Sequence, residues 1–165
     1  DTACDFTMGN GHDTAFLSKT VGETGRVAAF DIQPAALEST ARRLREENCP
    51  DNWELYCRSH HLAKECISGP IRAGMFNLGY MPGSGNKALT TMRETTLPAV
   101  EGALSMLGRD SILMVAVYPG HPEGAAEGEA LQAYFATLSR YKLSIAKFQM
   151  LNSPTSPYFM IAETK

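Results

Sequence analysis

Two glycines and an acidic residue stand at spacings that suit the binding of a nucleoside. The segment Asp5–Thr14 follows a β-like run, precedes a helical one and holds glycine at Gly9 and Gly11. Glycine lets the backbone turn tightly and come close to a ligand, because it has no Cβ. Twenty residues beyond Gly11, a second β-like run ends in Asp31, whose carboxylate can accept hydrogen bonds from both hydroxyls of a ribose. The pattern predicts a nucleoside site, with an ordinary turn and a helix-start aspartate as the alternative.

The same loop distinguishes between two kinds of cofactor. Position 14 is threonine, so the third glycine of a dinucleotide-binding fingerprint is missing. S-adenosylmethionine has no phosphate to place at the helix N-terminus, and a loop with two glycines suits it better than a nicotinamide dinucleotide. The sequence therefore favours S-adenosylmethionine as the cofactor. A nicotinamide oxidoreductase would need the third glycine to be dispensable.

A second group of polar residues lies where two later strands are predicted to end. Methyl transfer from this cofactor is an in-line displacement, so a protein mainly has to align the acceptor atom with the methyl group and dispose of a proton. Oxygens at Asn77 and its backbone would accept hydrogens of the acceptor group and so orient it, and Tyr80 would wall the pocket or stack on a base. His121, after the fifth strand, would relay the proton or contact the substrate. These three residues are the catalytic candidates, against the simpler interpretation of a strand-ending turn and a solvated loop histidine.

Short β-like runs alternate with helical segments along most of the chain. The strands predicted are Ala3–Thr7, Arg26–Asp31, Trp53–Arg58, Gly74–Leu78, Ser111–Tyr118, Leu143–Leu151 and Tyr158–Glu163. Helices are expected over about Thr14–Thr20, Pro34–Asn48, His61–Ser68, Thr95–Leu107 and Glu123–Arg140. In the second helix, Leu37, Ala41 and Leu44 recur at helical spacing, which indicates one buried stripe. The alternation predicts an α/β protein with a parallel sheet that helices cover on both faces.

The last two predicted strands have a different relation to each other. Only Asn152–Pro157 separates them, which is too short for a parallel crossover, so they should pair antiparallel. Alternating strands and helices followed by a C-terminal hairpin is the plan of the class I methyltransferases, a Rossmann-like α/β fold. The sequence predicts one domain over residues 1–165, with a mostly parallel seven-stranded sheet and an antiparallel C-terminal hairpin.

Several motifs of this chain are similar to those of a known bacterial family. They are Asp5-x-Thr7-x-Gly9-Asn10-Gly11-His12-Asp13-Thr14, Phe30-Asp31-Ile32-Gln33, Ser59-His60, Phe76-Asn77-Leu78-Gly79-Tyr80-Met81-Pro82-Gly83, Thr90-Thr91 and Tyr118-Pro119-Gly120-His121-Pro122-Glu123-Gly124. On these motifs, which span nearly the whole chain, the sequence resembles the family once labelled putative rRNA methylases, whose MnmM-type (YtqB-like) members act on tRNA. One loop departs from the family's usual Gly-Gly-Asp-Lys and reads Gly83-Ser84-Gly85-Asn86-Lys87.

The resemblance implies methyl transfer from S-adenosylmethionine to the aminomethyl nitrogen of 5-aminomethyl-2-thiouridine at the tRNA wobble position, with the tRNA anticodon region as the partner. The cofactor contacts that it implies, beside Gly9 of the loop, are Asn10, Gly11 and Asp13 on the methionine side, Asp31 and Gln33 at the ribose and adenine, and Ser59 and His60 at the adenine rim. A small-molecule amine methyltransferase, another RNA (rRNA) methyltransferase and a non-catalytic cofactor-binding module are alternatives on the same fold.

Composition limits the partners and the location. A net charge of −3 and a pI near 5.8 argue against a broad basic face that coats long nucleic acid, so DNA is not an expected partner. The longest apolar run, Ile112–Val117, is far shorter than the roughly 20 residues of a membrane helix, and Asp1–Asp5 shows no secretory signal. A cytoplasmic protein with no membrane partner is therefore expected, and a homodimer is among the states that the sequence allows.

The cysteines and the basic residues are less informative. The four cysteines form no C-x-x-C pair and are expected to be reduced, and no set of histidines and cysteines has zinc spacing, so no metal site is predicted. Arg42, Arg43 and Arg45 are interpreted as the solvated face of a helix. Lys87 and Arg93, beside the proposed pocket, are better candidates for phosphate contacts.

Overall fold

Seven strands form one mixed sheet in the part of the chain that the computed structural model describes, residues 1–79 and 93–165. The strands are β1 (Thr2–Asp5), β2 (Arg26–Asp31), β3 (Trp53–Cys57), β4 (Ile71–Leu78), β5 (Leu107–Val117), β6 (Leu143–Phe148) and β7 (Tyr158–Thr164). Their order across the sheet is β3-β2-β1-β4-β5-β7-β6. Strands β1 to β5 pair in parallel, and β7 lies antiparallel between β5 and β6.

The strand order reverses beside β1, and this reversal determines where a ligand-binding crevice can form. β1 pairs with β2 on one side and with β4 on the other. The chain therefore builds the sheet outwards to β3 in one direction and then crosses over to continue with β4 and β5. In open α/β sheets such a switch point leaves a crevice at the carboxyl ends of the strands, where ligands bind.

Helices cover both faces of the sheet. They are α1 (His12–Val21), α2 (Pro34–Glu46), α3 (Ala63–Cys66), α4 (Arg93–Met106) and α5 (Pro122–Thr137), and a 3₁₀ turn over His60–Leu62 precedes α3. Successive strand residues point to opposite faces, so Cys4 and Ala28 share a core with α3, α4 and α5. Ala3 and Val27, their neighbours in sequence, pack with α1 on the other face. None of the helices in the described ranges is long and apolar enough to cross a membrane.

The predicted fold class is confirmed, including the antiparallel C-terminal hairpin. The predicted strand Leu143–Leu151 was too long, because its ladder with β7 ends at the pair Phe148 and Phe159 and the chain then turns. β5 begins at Leu107 and not at Ser111, because Leu107 already pairs with Ile71 of β4. The register of this pairing then shifts, and Asp110 within the shifted segment has a φ of 52°.

Two helices also differ from the prediction. The helix expected over His61–Ser68 divides into the 3₁₀ turn and the four-residue α3. In α2 the fully buried residues are Ala36, Thr40 and Leu44, so the buried stripe is shifted by one position from Leu37 and Ala41. The shift brings Thr40 against the loop that follows β1.

Candidate active site

Two adjoining cavities lie at the carboxyl ends of β1, β2, β4 and β5. The first, here called the loop cavity, has a volume of about 370 Å³ and is lined by Thr7, Met8, Gly9, Asn10, His12, Asp13, Asp31, Asn77, Gly79, Tyr118 and His121. The second, the His60 cavity, has about 90 Å³ and is lined by Phe6, Thr7, Phe30, Asp31, Ile32, Gln33, Arg58, Ser59, His60, Asn77, Gly79 and Thr95. Four residues belong to both linings: Thr7, Asp31, Asn77 and Gly79. The two cavities therefore form one elongated cleft.

The loop after β1 bends back through two left-handed glycines, Gly9 with a φ of 48° and Gly11 with a φ of 79°. Gly9 lines the loop cavity, and its close approach to a ligand stays a prediction. Gly11 lines neither described cavity. A Cβ there would lie 2.8 Å from the Cα of Thr40, so Gly11 allows α1 and α2 to approach each other closely.

Asp31 at the end of β2 reaches across to this loop. Its Oδ2 accepts a hydrogen bond from the backbone N–H of Gly9 at 3.1 Å, and its Oδ1 accepts one from the N–H of Gln33 at 2.9 Å. Burial raises the pKa of the Asp31 carboxyl, although hydrogen bonds from the backbone of Gln33, Gly9 and Ile32 act to lower it. A carboxylate has about four lone-pair sites, so Asp31 can still accept a hydrogen bond from a ligand in the cleft.

Asp5 and Arg43 hold the loop after β1 by hydrogen bonds. The sequence analysis did not assign either residue to the site. Fully buried Asp5 accepts hydrogen bonds from the N–H of Thr7 at 3.1 Å and from the hydroxyl of Thr14 at 2.6 Å. Arg43, interpreted from sequence as solvated, instead donates from Nε to the carbonyl of Asn10 at 2.7 Å. The expectation for Arg43 was wrong because the loop, 33 residues earlier in the chain, folds onto its helix face.

Asn77 is held at the centre of the cleft by groups from three other segments. Its backbone N–H donates to Oγ1 of Thr7 at 2.7 Å. Its Nδ2 donates to Oδ2 of Asp13 in the first turn of α1, and its Oδ1 accepts from the hydroxyl of Tyr118 at 3.3 Å. Thr7 and Tyr118 were missed as site residues, although both stand at carboxyl ends of strands within the motifs of the sequence.

His60 contributes a buried nitrogen that has no partner among the described residues. Its Nδ1 lies 3.3 Å from the carbonyl oxygen of Phe6, which can only accept, so Nδ1 carries the proton and Nε2 is a bare acceptor. Nε2 is buried and makes no hydrogen bond within the described ranges. Burial lowers the pKa of His60 to about 4, so the ring is neutral at pH 7. A buried acceptor without a partner costs stability unless a ligand completes it.

His121, at the other end of the cleft, caps a helix. Its Nδ1 accepts a hydrogen bond from the backbone N–H of Gly124 at 3.1 Å, at the start of α5. In the neutral ring with this cap intact, the proton is on Nε2. Held in this way, His121 offers the loop cavity a hydrogen-bond donor, whereas accepting a proton would require the cap to break.

Most of the predicted site residues come together in this cleft. Those that line the loop cavity are Gly9, Asn10, Asp13, Asp31, Asn77 and His121, and those that line the His60 cavity are Asp31, Gln33, Ser59, His60 and Asn77. Tyr80 and Lys87 lie outside the described residues, as does the side chain of Arg93. Within the described ranges, no group of three His, Cys, Asp or Glu residues could hold a metal ion.

The cleft fits a nucleoside with an extended polar arm. Asp31 can accept a hydrogen bond from a ribose hydroxyl, and His60 lines the smaller cavity, where a base would lie. Asn10 and Asp13 line the larger cavity, where polar groups of the arm would lie.

Comparison with known protein families gives a match over most of the chain. The family model described as "Putative rRNA methylase" matches residues 27–163. A curated relative from Arabidopsis thaliana, named tRNA (mnm(5)s(2)U34)-methyltransferase, chloroplastic, is 38% identical over 170 residues. That match covers 95% of this chain but 61% of the relative, so the chain spans about three fifths of the plant protein's length.

Two solved structures of bacterial relatives have the same fold. A protein from Clostridium thermocellum, described as a putative rRNA-methylase, is 36% identical and superposes with a TM-score of 0.95, covering 100% of this chain and 89% of that one. A putative methyltransferase from Streptococcus mutans, solved in complex with SAH, is 34% identical with a TM-score of 0.88, covering 99% and 88% of the two chains. The predictions of a class I methyltransferase fold and of S-adenosylmethionine as the cofactor are confirmed.

Proposed function

This chain belongs to the "Putative rRNA methylase" family, and on that basis we propose that it transfers a methyl group from S-adenosylmethionine to an amine. The observation that carries the proposal is the position of Asn77. Asn77 lines both cavities and so lies between the part of the cleft that suits a nucleoside and the part that opens beside Tyr118 and His121. An amide oxygen at this junction can align an amine with a methyl donor.

The acceptor that we propose is 5-aminomethyl-2-thiouridine at the tRNA wobble position, with the methylaminomethyl form as the product. Two observations support it: the motifs shared with the family and the name of the Arabidopsis relative, a tRNA (mnm(5)s(2)U34)-methyltransferase. We further propose that residues 1–165 act as one domain and that the partner is the anticodon region of the tRNA. A location in the cytoplasm remains a prediction, and the plant relative is chloroplastic by its name.

The chain's own residues would divide the work of binding between the two cavities. Asp31 and Gln33 would hold the ribose and adenine, and Ser59 and His60 the adenine rim. Gly9, Asn10 and Asp13 would lie along the methionine arm. Gly11 would act indirectly, through the packing of α1 against α2 that shapes the loop.

When bound, S-adenosylmethionine supplies a methyl carbon that is electrophilic because it is attached to a sulfonium. Oδ1 of Asn77 would accept an N–H of the substrate amine and so direct the nitrogen lone pair towards that carbon. The methylated nitrogen would have to lose one proton, and since the accepting nitrogen of His121 is engaged in the helix cap, that proton would leave to solvent. Nε2–H of His121 would contact the substrate as a donor, and Tyr80 would wall the pocket or stack on the base.

Methylation of defined tRNA tests the proposal. The substrate is tRNA from a strain that makes the aminomethyl wobble uridine but cannot methylate it, and the control is the same tRNA already methylated. We expect labelled methyl from S-adenosylmethionine to enter only the unmethylated tRNA, and mass spectrometry of digested nucleosides to locate it on the wobble uridine. If this tRNA gains no methyl while the protein binds the cofactor, the tRNA proposal is wrong.

A small-molecule amine is the second candidate, and one observation favours it. The described lining of the loop cavity contains no lysine or arginine, and the chain has a net charge of −3, so these residues provide no cation for an RNA phosphate. Assays with a panel of free amines in place of tRNA distinguish the two candidates. Methylation of a free amine without any methylation of tRNA would favour the small-molecule amine as the substrate.

A further inference from the structure

The carboxamide of Asn77 has a defined orientation. We propose that Asp13 and Tyr118 are positioning residues that fix this carboxamide with its oxygen, and not its nitrogen, presented to the amine that receives the methyl group. This inference rests on the proposed function and assigns Asp13 a role beyond the cofactor contact expected from the sequence. All three residues line the loop cavity.

The orientation follows from what each partner can do. An ionised carboxylate only accepts hydrogen bonds, so the group of Asn77 that faces Asp13 must be its NH₂. The carboxamide oxygen then lies on the opposite side, where it accepts from the hydroxyl of Tyr118 at 3.3 Å. That oxygen has two lone pairs, and Tyr118 occupies one of them. Among the residues that the structure describes, no other hydrogen bond to this oxygen is seen, so its second lone pair can accept an N–H of the substrate.

Without Asp13 the carboxamide would lose this preference. The terminal torsion of asparagine has two broad orientations of similar energy, and a half-turn exchanges the oxygen and the nitrogen. The exchanged group would place N–H donors against an amine that itself offers N–H, and its lone pair would no longer be aimed at the methyl carbon. The backbone of Asn77 would stay in place, because its N–H donates to Thr7 independently of the side chain.

The three groups come from separate parts of the fold. Asp13 is in the first turn of α1, Asn77 is near the end of β4 and Tyr118 directly follows β5. Their side chains meet only because β4 lies between β1 and β5 in the sheet. Asp13 therefore links the helix behind the cofactor loop to the residue that receives the substrate.

A reciprocal exchange of the side chains at positions 13 and 77 gives the sharpest test. In Asp13→Asn an amide faces Asn77, so either orientation of Asn77 finds a partner. In the double variant Asp13→Asn/Asn77→Asp, the new amide donates to a carboxylate at position 77, which is again an acceptor, and the net charge is unchanged. At saturating S-adenosylmethionine we expect kcat to fall about 100-fold in Asp13→Asn and to recover to within about 10-fold of wild type in the exchange.

Tyr118→Phe adds a milder variant, for which we expect kcat to fall about 5-fold, since the 3.3 Å hydrogen bond that it removes is long. The matched control is Asp51→Asn, an exposed aspartate just before β3, which should leave kcat unchanged. Calorimetric titration of cofactor into every variant separates a loss of binding from a loss of turnover.

The outcomes are distinct. A wild-type kcat in a folded Asp13→Asn variant that binds cofactor would overturn the positioning role, and so would an exchange variant no faster than Asp13→Asn. A wild-type protein that binds cofactor but methylates neither tRNA nor free amines would instead overturn the proposed function.

Discussion

The backbone N–H of Gly9 donates a 3.1 Å hydrogen bond to Oδ2 of Asp31, which joins the loop after β1 to the end of β2. The two residues are 22 positions apart, yet they form one unit because β1 and β2 pair in parallel and end at the same edge of the sheet. The carboxylate thus fixes the loop, and we propose that it also accepts a hydrogen bond from the ribose of the cofactor.

Replacement of Asp31 should therefore weaken cofactor binding strongly. We expect Asp31→Ala to lose more than roughly 1.5 kcal/mol of binding free energy for both S-adenosylmethionine and S-adenosylhomocysteine, and Asp31→Asn to lose less, because one acceptor oxygen remains. Calorimetric titration measures both, with NAD as a ligand that should not bind. Wild-type affinity in a folded Asp31→Ala variant would mean that the ribose is held elsewhere.

Substitutions of His121 separate its capping role from its contact with substrate. Asparagine can cap a helix as histidine does here, so His121→Asn should keep wild-type stability, whereas His121→Ala should lose about 1 kcal/mol. If the Nε2–H donor contacts the substrate, both variants should lose methyl transfer to a similar degree. Urea unfolding and single-turnover assays on the same preparations provide the comparison. Full activity in His121→Asn would limit this residue to the helix cap.

The positions of several site residues could be predicted from the sequence, because local residue patterns indicate where each strand ends. The end of a β-like run places Asp31, and a loop after the preceding strand must lie beside it in a parallel sheet. Asn77 follows by the same argument from β4. The places of these residues at the sheet edge could be predicted because strand ends and their pairing partners depend on short-range periodicity and on a common topology. Their roles stay predictions.

Contacts between distant side chains were not readable in the same way. The need for glycine at position 11 comes from Thr40, and the contact of Arg43 comes from the carbonyl of Asn10. Tyr118 reaches Asn77 from the position directly after the neighbouring strand β5, 41 residues later in the chain. Each of these depends on how two elements pack, which neither periodicity nor residue type specifies. The role of Tyr80 stays a prediction.

Gly11 should be among the least replaceable residues of the loop. An alanine there would combine a left-handed backbone at a φ of 79° with a Cβ 2.8 Å from the Cα of Thr40. We expect Gly11→Ala to lower the free energy of unfolding by roughly 3 kcal/mol or more. Gly69→Ala is the matched control, since it has a φ of 82° with nothing within 4 Å of the added Cβ, and it should cost roughly 1 kcal/mol. Equal losses in the two variants would show that α2 moves away without cost.

Asp5 and His60 should give the stability of the protein opposite dependences on pH. Burial raises the pKa of Asp5 from 3.8 to about 7, so between these values the folded state holds a proton that the unfolded state has lost. Its contribution is present below pH 4 and is lost as the pH rises towards 7. Burial lowers the pKa of His60 from 6.5 to about 4. Its contribution is present above pH 6.5 and is lost as the pH falls towards 4.

The two effects oppose each other between pH 4 and 6.5. The variants Asp5→Asn and His60→Gln each remove one of them, so the free energy of unfolding should depend less on pH in the wild type than in either variant. Relative to wild type, Asp5→Asn should gain roughly 3 to 4 kcal/mol of unfolding free energy as the pH rises from 4 to 8. His60→Gln should gain about 3 kcal/mol as the pH falls from 7 to 4. Urea titrations across this range measure both, with Asp51→Asn as the control. If the free energy of unfolding of Asp5→Asn ran parallel to that of the wild type across this pH range, Asp5 would already be ionised in the folded protein at pH 5. The hydrogen bonds from Thr7 and Thr14 would then outweigh the effect of burial on its pKa.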